Sequence, residues 1–169
     1  MDAIKAIMTR RSIRHYTNQP VSQELIEKIL RGAMAAPSAR NEQSWQFVVI
    51  EDREILDAIP QYHHYADMLT EAPVAIAICG DVRQESHQEY WEQNCAAATQ
   101  NLLLTAHALG LGTVWLGIYP VEERVSKTKA LLALPDGVIP MAIVALGYPA
   151  EEKEPSNRFN ETKIHRNEW

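Results

Sequence analysis

The segment from Ser86 to Gly110, SHQEYWEQNCAAATQNLLLTAHALG, constrains the fold of this chain more than any other. Its pattern predicts one long helix, which Gly110 and Gly112 bring to an end. Between Cys95 and Leu109 the side chains are small or apolar around most of the circumference, and such a helix is buried on several sides. Because the chain has only 169 residues, we expect a second subunit to supply part of that cover.

Helices and strands intermix along the whole sequence. Helical periodicity predicts further helices over residues 2–9, 23–37, 53–60 and 121–134. Ser22 is the predicted N-cap of the second of these helices. Continuous apolar runs predict strands over residues 45–52, 72–80, 113–120 and 138–149, the first two buried on both faces. We expect a single domain over 1–169 of class α+β or α/β, with a mixed sheet flanked by helices. The last twenty residues show no period, but Phe159, Ile164 and Trp169 predict that this tail docks.

Charge and composition exclude several classes of function. A net charge of −6 argues against general affinity for nucleic acid, which needs a basic face. The apolar runs are too short to span a bilayer, and the N-terminal run is too short for a signal peptide. We therefore expect a cytoplasmic protein that binds neither nucleic acid nor membrane.

The cysteines and histidines give no sign of a metal site. Cys79 and Cys95 have no CxxC neighbour, so we expect two buried thiols rather than a disulfide or a zinc site. His63, His64 and His87 lack the i, i+4 spacing that aims two rings at one ion, so we expect surface histidines and no bound metal.

Three arginines gather around one serine in TRRSIRHY, near the start of this acidic chain. Arg10, Arg11 and Arg14 repel one another unless something negative lies beside Ser12. The candidates are nucleic acid, a membrane surface, an internal acidic partner and a small phosphorylated ligand. One phosphate monoester would account for these residues together with Arg158, because arginines bind its oxygens through charge-assisted hydrogen bonds. A solvated charged turn is the alternative.

Two further segments have the character of a ligand site. The loop in APSARNEQSWQF contains Pro37, Ser38, Ala39 and Asn41 between a helix end and a strand. Its small residues let a flat group approach the backbone, and the Asn41 amide offers a donor and an acceptor. The same loop is alternatively a plain helix stop. Gly117, inside the apolar strand TVWLGI, marks either a bulge or the close approach of a ligand.

Four segments together resemble the flavin-dependent nitroreductase family: RRSIRHY, APSARNEQSWQF, GLGTVWLG and ALGYPAE. They occur in the family's order and extend across nearly the whole chain. The resemblance implies an α+β homodimer around a central, mainly antiparallel sheet, with helices packed at the dimer interface. It also implies two FMN sites, each shared between the protomers.

The resemblance assigns site residues in three groups. The phosphate end of FMN would be bound by Arg10, Arg11, Ser12, Arg14 and Arg158, with Arg14 also within reach of the ribityl chain or the pyrimidine edge. The isoalloxazine would lie along residues of the other subunit, namely Pro37, Ser38, Ala39 and Asn41. One ring face would be covered by the strand residues Trp115, Leu116 and Gly117, with a backbone N–H near flavin N5.

The activity that the resemblance implies is a ping-pong cycle carried by the flavin rather than by a side chain. NADH or NADPH would pass a hydride to flavin N5, and an electron-poor acceptor such as a nitroaromatic or a quinone would then take two electrons. Larger family members often have a lysine near flavin N1, but no Lys or Arg lies between Arg53 and Arg83. Arg14, His63 or His64 would have to take that part. Two alternatives stay open: an FMN-binding protein for storage or redox sensing, and a protein that binds nucleic acid through the arginine turn.

Overall fold

The computed structural model describes residues 1–86 and 88–169. In this part of the chain the helices are α1 (Ala3–Thr9), α2 (Gln23–Met34), α3 (Arg53–Ala58), α4 (Trp91–Ala108) and α5 (Glu122–Leu131). The strands are β1 (Trp45–Ile50), β2 (Val74–Asp81), β3 (Gly112–Gly117) and β4 (Val138–Gly147). Each predicted element is present with similar bounds, except that α4 begins at Trp91 rather than at Ser86. His87, which belonged to the predicted helix, lies outside the described residues.

Capping side chains explain where the first helices begin. The Asp2 Oδ1 atom accepts from the Ile4 N–H at 3.0 Å, at the start of α1. Ser22 caps α2 as predicted, since its Oγ accepts from the Leu25 N–H at 3.3 Å. Just beyond α4, Gly110 adopts a φ of 83°, a left-handed conformation that glycine takes without steric cost.

The sheet has the strand order β1-β2-β4-β3, and all three ladders are antiparallel. A parallel bridge between Ser12 and Thr113 adds the N-terminal segment to the outer edge of β3. The predicted α+β class and mainly antiparallel sheet are therefore confirmed. The strand β2 is buried along its whole length, as predicted. The same prediction for β1 is wrong: β1 is an edge strand, and Gln46 in its middle is exposed.

Helices and loops cover both faces of this sheet. On one face α2 and α4 pack over a core that includes Ile76 and Val144. On the other face α3, residues 59–72 and α5 pack over Ala75 and Ile143. The two cysteines are buried free thiols, as predicted.

The cover of α4 comes largely from its own chain. Cys95, Ala98 and Leu102 on this helix are fully buried against α2 and the sheet. Gln100 is exposed and Leu104 is half-buried, so a narrower face remains for a second subunit than the sequence predicts.

The tail docks on its own chain only through its first part, where Lys153 and Ser156 form hydrogen bonds with Ser12 and Arg11. The three apolar side chains from which docking was predicted do not pack against this chain, so the prediction is wrong for them in a single subunit. Phe159 is 73% exposed, and Ile164 and Trp169 are also exposed. The helix α1 likewise turns apolar side chains outward, with Ile4 70% exposed and Ile7 beside it. Within the described residues no helix has the length and apolar character needed to cross a membrane.

Candidate functional site

Five of the predicted site residues line one small basic cavity, which we call the arginine pocket. Its volume is about 200 Å³, and its walls are Arg10, Arg11, Ser12, Arg14, Lys153 and Arg158. The segment is fixed on β3, because the Ile13 N–H donates to the Thr113 carbonyl at 3.0 Å. The predicted convergence of the N-terminal arginines with Arg158 is therefore present in the folded chain.

The charge in the arginine pocket is not balanced. The pKa of Arg10 is lowered by burial and by the positive charges of Arg11 and Arg158. Arg11 donates from Nη1 to the Ser156 hydroxyl at 2.6 Å, while its buried Nε has no hydrogen-bond partner. In residues 1–86 and 88–169 the guanidinium groups of Arg10, Arg14 and Arg158 form no hydrogen bond or ion pair. Such a pocket suits a ligand with two negative charges.

Lys153 is a basic residue of this pocket that the sequence did not reveal. Its Nζ donates to the Ser12 carbonyl at 2.8 Å and pairs with Glu151 at 2.9 Å. Glu151 in turn accepts from the Arg14 N–H at 2.5 Å. The run EEKE around Lys153 has no spacing that signals a site, so only the fold brings Lys153 to Ser12.

A larger cavity of about 620 Å³, which we call the edge cavity, lies beside β3 and shares Arg14 with the arginine pocket. Its strand wall includes Trp115, Leu116 and Gly117. Because β4 is the only strand that pairs with β3 in the described part of the chain, every second residue of β3 turns its backbone groups toward the outer edge. The outward set begins at Thr113, whose carbonyl binds Ile13. The N–H groups of Trp115 and Gly117 therefore face away from β4 without a ladder partner.

Gly117 leaves open space at the wall of the edge cavity. A Cβ atom added there would meet no atom of the described chain within 4 Å. The β3–β4 register runs regularly through Gly117, so the interpretation as a bulge is wrong; the irregularity of the sheet lies between Ile78 and Cys79. Neither packing nor register within the described residues requires a glycine at this position, and close approach of a ligand stays a prediction.

The two adjacent histidines also line the edge cavity. His64 is exposed, as predicted, and lines the edge cavity. His63 is only 2% exposed, so the prediction of a surface histidine is wrong for it. Its Nε2 lies 2.9 Å from the Gly117 carbonyl oxygen, and its Nδ1 accepts from the Tyr65 N–H at 3.2 Å. Both ring nitrogens are thus engaged, which leaves His64 and Arg14 as the cavity groups free to meet a flavin edge.

The loop before β1 is strained and firmly held. Arg40, Asn41 and Gln43 have φ values of 52°, 57° and 52°, a region that residues with a side chain rarely adopt. The Ser38 Oγ accepts from the Gln43 N–H at 3.0 Å. Strain of this kind clusters at functional sites, where the surroundings over-determine it.

The buried amide of Asn94, on α4, connects this loop to the core. Its Oδ1 accepts from the Ala39 N–H at 2.8 Å, and its Nδ2 donates to Glu85 Oε1 at 2.8 Å. Ser44, at the other end of the loop, also donates to Glu85. The loop is therefore more than a helix stop, although no pattern in the sequence points to Asn94 or Glu85.

Within one chain the loop does not reach the two cavities. It precedes β1, which is three strands away from β3 across the sheet, a distance of about 14 Å at the usual strand spacing. Neither cavity is lined by the four predicted loop residues Pro37, Ser38, Ala39 and Asn41. One subunit thus brings together the arginine group and the β3 group and leaves the loop group apart.

Comparison with known proteins agrees with these features. The family model described as the nitroreductase family matches residues 7–64 and 58–148. This chain belongs to the nitroreductase family. It is 47% identical over all of its residues to a protein of Methanothermobacter thermautotrophicus provisionally named NADH dehydrogenase/NAD(P)H nitroreductase, of which the match covers 88%.

Solved structures confirm the nitroreductase-like fold. An FMN-dependent nitroreductase of Clostridium difficile R20291 superposes with a TM-score of 0.91 at 30% identity, covering 98% of this chain and 99% of that one. A provisionally named nitroreductase of Desulfovibrio desulfuricans, solved in complex with FMN, gives a TM-score of 0.86 at 33% identity, covering 100% and 98%.

Proposed function

We propose that this chain is an FMN-dependent oxidoreductase of the nitroreductase type. It takes a hydride from NADH or NADPH and reduces an electron-poor acceptor such as a nitroaromatic or a quinone by a ping-pong mechanism. One observation carries the proposal: the unbalanced arginine pocket continues, through Arg14, into a cavity whose wall is a free backbone edge at Gly117.

The arginine pocket fits the phosphate of FMN. Burial and then the charges of Arg11 and Arg158 lower the pKa of Arg10, and a phosphate monoester, with nearly two negative charges, would offset that repulsion. Arg10, Ser12 and Arg158 would bind its oxygens, and Lys153 lies close enough to take part. Nucleic acid is a poorer fit, because the chain has a net charge of −6 and the arginine pocket is small and local.

The edge cavity fits the isoalloxazine ring. Gly117 leaves room for a flat group to reach the backbone, and its unpaired N–H is a donor suited to flavin N5. The rings of His64 and Tyr65 line the same cavity and lie edge to face, with their centroids 4.9 Å apart. Aromatic rings beside the cavity suit a planar aromatic donor or acceptor over the isoalloxazine.

A homodimer would complete each site. Pro37, Ser38, Ala39 and Asn41 lie across the sheet from the edge cavity of their own chain. We place them against the flavin of a second subunit, which explains why their strained loop is held so firmly at the surface. The exposed apolar side chains of α1 and the tail supply surface for such an interface.

When bound, FMN supplies the redox chemistry, accepting a hydride at N5 and returning two electrons to the acceptor. The residues of the chain bind the phosphate, present the Gly117 N–H and keep one face of the cavity open. Arg14 and Arg124 put positive charge beside the cavity, which favours two-electron chemistry by electrostatic stabilisation.

The test is a visible spectrum of the purified protein before and after incubation with FMN, with the mass of any released pigment. We expect flavin absorption, anaerobic bleaching on addition of NADH or NADPH, and recovery on addition of a nitroaromatic or a quinone. A colourless protein that takes up no FMN would overturn the proposal.

A second candidate is an FMN-binding protein for storage or redox sensing with little turnover. It is favoured by the absence of Lys and Arg between Arg53 and Arg83, where larger relatives often have a lysine. The same anaerobic experiment separates the two, because a storage protein would keep its flavin absorption after NADH and NADPH are added.

A further inference from the structure

Two side chains outside the predicted site converge on one backbone atom of β3. The His63 Nε2 lies 2.9 Å from the Gly117 carbonyl oxygen, and the Arg124 Nη1 donates to the same oxygen at 3.0 Å. His63 belongs to the segment after α3, whereas Arg124 lies on α5. Two distant parts of the chain therefore replace the ladder partner that an edge carbonyl lacks.

The hydrogen bonds of His63 define its tautomer. Because the Tyr65 N–H donates to Nδ1 at 3.2 Å, Nδ1 carries no proton in the neutral ring. The proton is on Nε2, which donates to the Gly117 carbonyl. His63 is 2% exposed, and burial lowers its pKa. The ring is neutral at neutral pH and holds a single orientation.

Gly117 is the position on β3 that most needs such support. Glycine has the widest backbone freedom of all residues, and Gly117 has no side chain to pack. The next residue is fixed on β4, since the Ile118 N–H donates to the Met141 carbonyl at 3.1 Å. The Gly117 carbonyl belongs to the same peptide group as the Ile118 N–H, so His63 and Arg124 add two hydrogen bonds to a group that β4 already holds. The preceding peptide group, which carries the Gly117 N–H, is placed by the pairing of Leu116 with Ile143 on β4. With both flanking peptide groups held, the orientation of Gly117 is set.

We propose that His63 and Arg124 are positioning residues that act through the Gly117 carbonyl to hold the Gly117 N–H toward flavin N5. The inference rests on the proposed function. It gives a role to the buried histidine and to the half-buried arginine, neither of which belongs to the arginine pocket or to the loop before β1. Arg124 also adds a cation to a site that has no Lys or Arg between Arg53 and Arg83.

The experiment compares variants that remove each donor with variants that keep one. His63→Leu and Arg124→Met remove a donor, whereas His63→Gln and Arg124→Lys retain an N–H in the same region. Lys127→Met is the matched control for loss of charge, because Lys127 is an exposed cation on α5. Two quantities are measured: amide hydrogen exchange in FMN-free protein at Ile118, whose N–H shares the peptide group of the Gly117 carbonyl and donates to Met141, and the nitrogen resonance of N5 in protein loaded with isotope-labelled FMN.

We expect His63→Leu and Arg124→Met to speed exchange at Ile118 by about tenfold and to move the N5 resonance toward that of free FMN. The glutamine, lysine and Lys127→Met proteins should resemble wild type. An unchanged N5 resonance in the donor-removing variants overturns the inference. If His63→Leu does not fold, the result for Arg124→Met is sufficient to test the inference. A wild-type protein that takes up no FMN overturns the proposed function itself. This outcome differs from an unchanged N5 resonance, which is measured in protein that has bound FMN.

Discussion

Gly117 is the residue at which the folded chain leaves the most room for a ligand. A methyl group placed there meets nothing within 4 Å, so Gly117→Ala should leave the melting temperature of the FMN-free protein within about 2 °C of wild type. The same methyl group would occupy the wall of the edge cavity. We therefore expect FMN affinity, measured by fluorescence titration, to fall by about tenfold or more.

The control for this substitution is Gly137→Ala. Gly137 has a φ of 82°, and an added Cβ would lie 2.6 Å from Arg83 Cγ, away from both cavities. This variant should be less stable, with a melting temperature lower by about 2–4 °C for each kcal/mol lost from the free energy of unfolding. The folded protein should bind FMN normally. Gly117→Ala that binds FMN as tightly as wild type would contradict the placement of the ring.

Arg10 should matter more for ligand binding than for folding. Burial and the charges of Arg11 and Arg158 already lower its pKa, so Arg10→Ala relieves repulsion in the FMN-free protein. We expect an equal or higher melting temperature and an FMN affinity lower by about 10- to 100-fold, the range for one charge-assisted hydrogen bond. Arg31→Ala is the control, since Arg31 pairs with Glu27 on the surface of α2.

Buried His63 and half-buried His107 predict how stability depends on pH. Burial lowers the pKa of His63 and of His107, the latter also through Arg10, so both bind a proton less readily when folded. The unfolded chain therefore takes up more protons as the pH falls through the ordinary value of 6.5, and stability is lost. Melting temperatures at pH 7.5 and 5.5 should differ by less in His63→Gln than in wild type. An equal difference in both proteins would assign the effect to other groups.

At the scale of the elements, features that depend on neighbouring residues were predicted better than features that depend on tertiary structure. The cap at Ser22 and the buried run of β2 depend on neighbouring residues, so the sequence predicts them well. The exposure of Gln46 on β1 was missed, because it depends on the strand order β1-β2-β4-β3. Likewise the arginine motif could be recognised in one short segment of the sequence. Lys153 and His63 come to the site only in the tertiary structure, so no local pattern predicts them.

The connection between α4 and the loop before β1 can be tested through Asn94. Asn94→Ala removes the acceptor for the Ala39 N–H and a donor to the buried Glu85. We expect a loss of about 1–3 kcal/mol in the free energy of unfolding, faster amide exchange at Ala39 and weaker FMN binding. Asn101→Ala is the control, because its amide donates to the Gly32 carbonyl on α2 at 3.2 Å instead. Comparable effects of both variants on FMN affinity would show that Asn94 acts only on stability.

On the scale of the whole molecule, the exposed apolar side chains support the proposal that two subunits associate. Ile4 is 70% and Phe159 73% exposed. Ile4 precedes the arginine cluster in the sequence, and Phe159 directly follows Arg158. Burial of such side chains is the main driving force of protein association. The sequence predicted that a second subunit covers α4. In the folded chain the exposed apolar side chains lie mainly on α1 and the tail.

A mixing experiment tests whether two subunits share each site. Arg10→Ala disables the arginine pocket, and Asn41→Gly removes the loop amide while suiting the φ of 57° at that position. If each site combines the pocket of one subunit with the loop of the other, random re-pairing of the two variants restores about a quarter of the sites. FMN binding, absent or weak in either variant alone, should therefore reappear at that level after the subunits are exchanged in mild denaturant. If each chain held its own complete site, no mixture would bind more FMN than its components, and the proposed homodimeric site would be wrong.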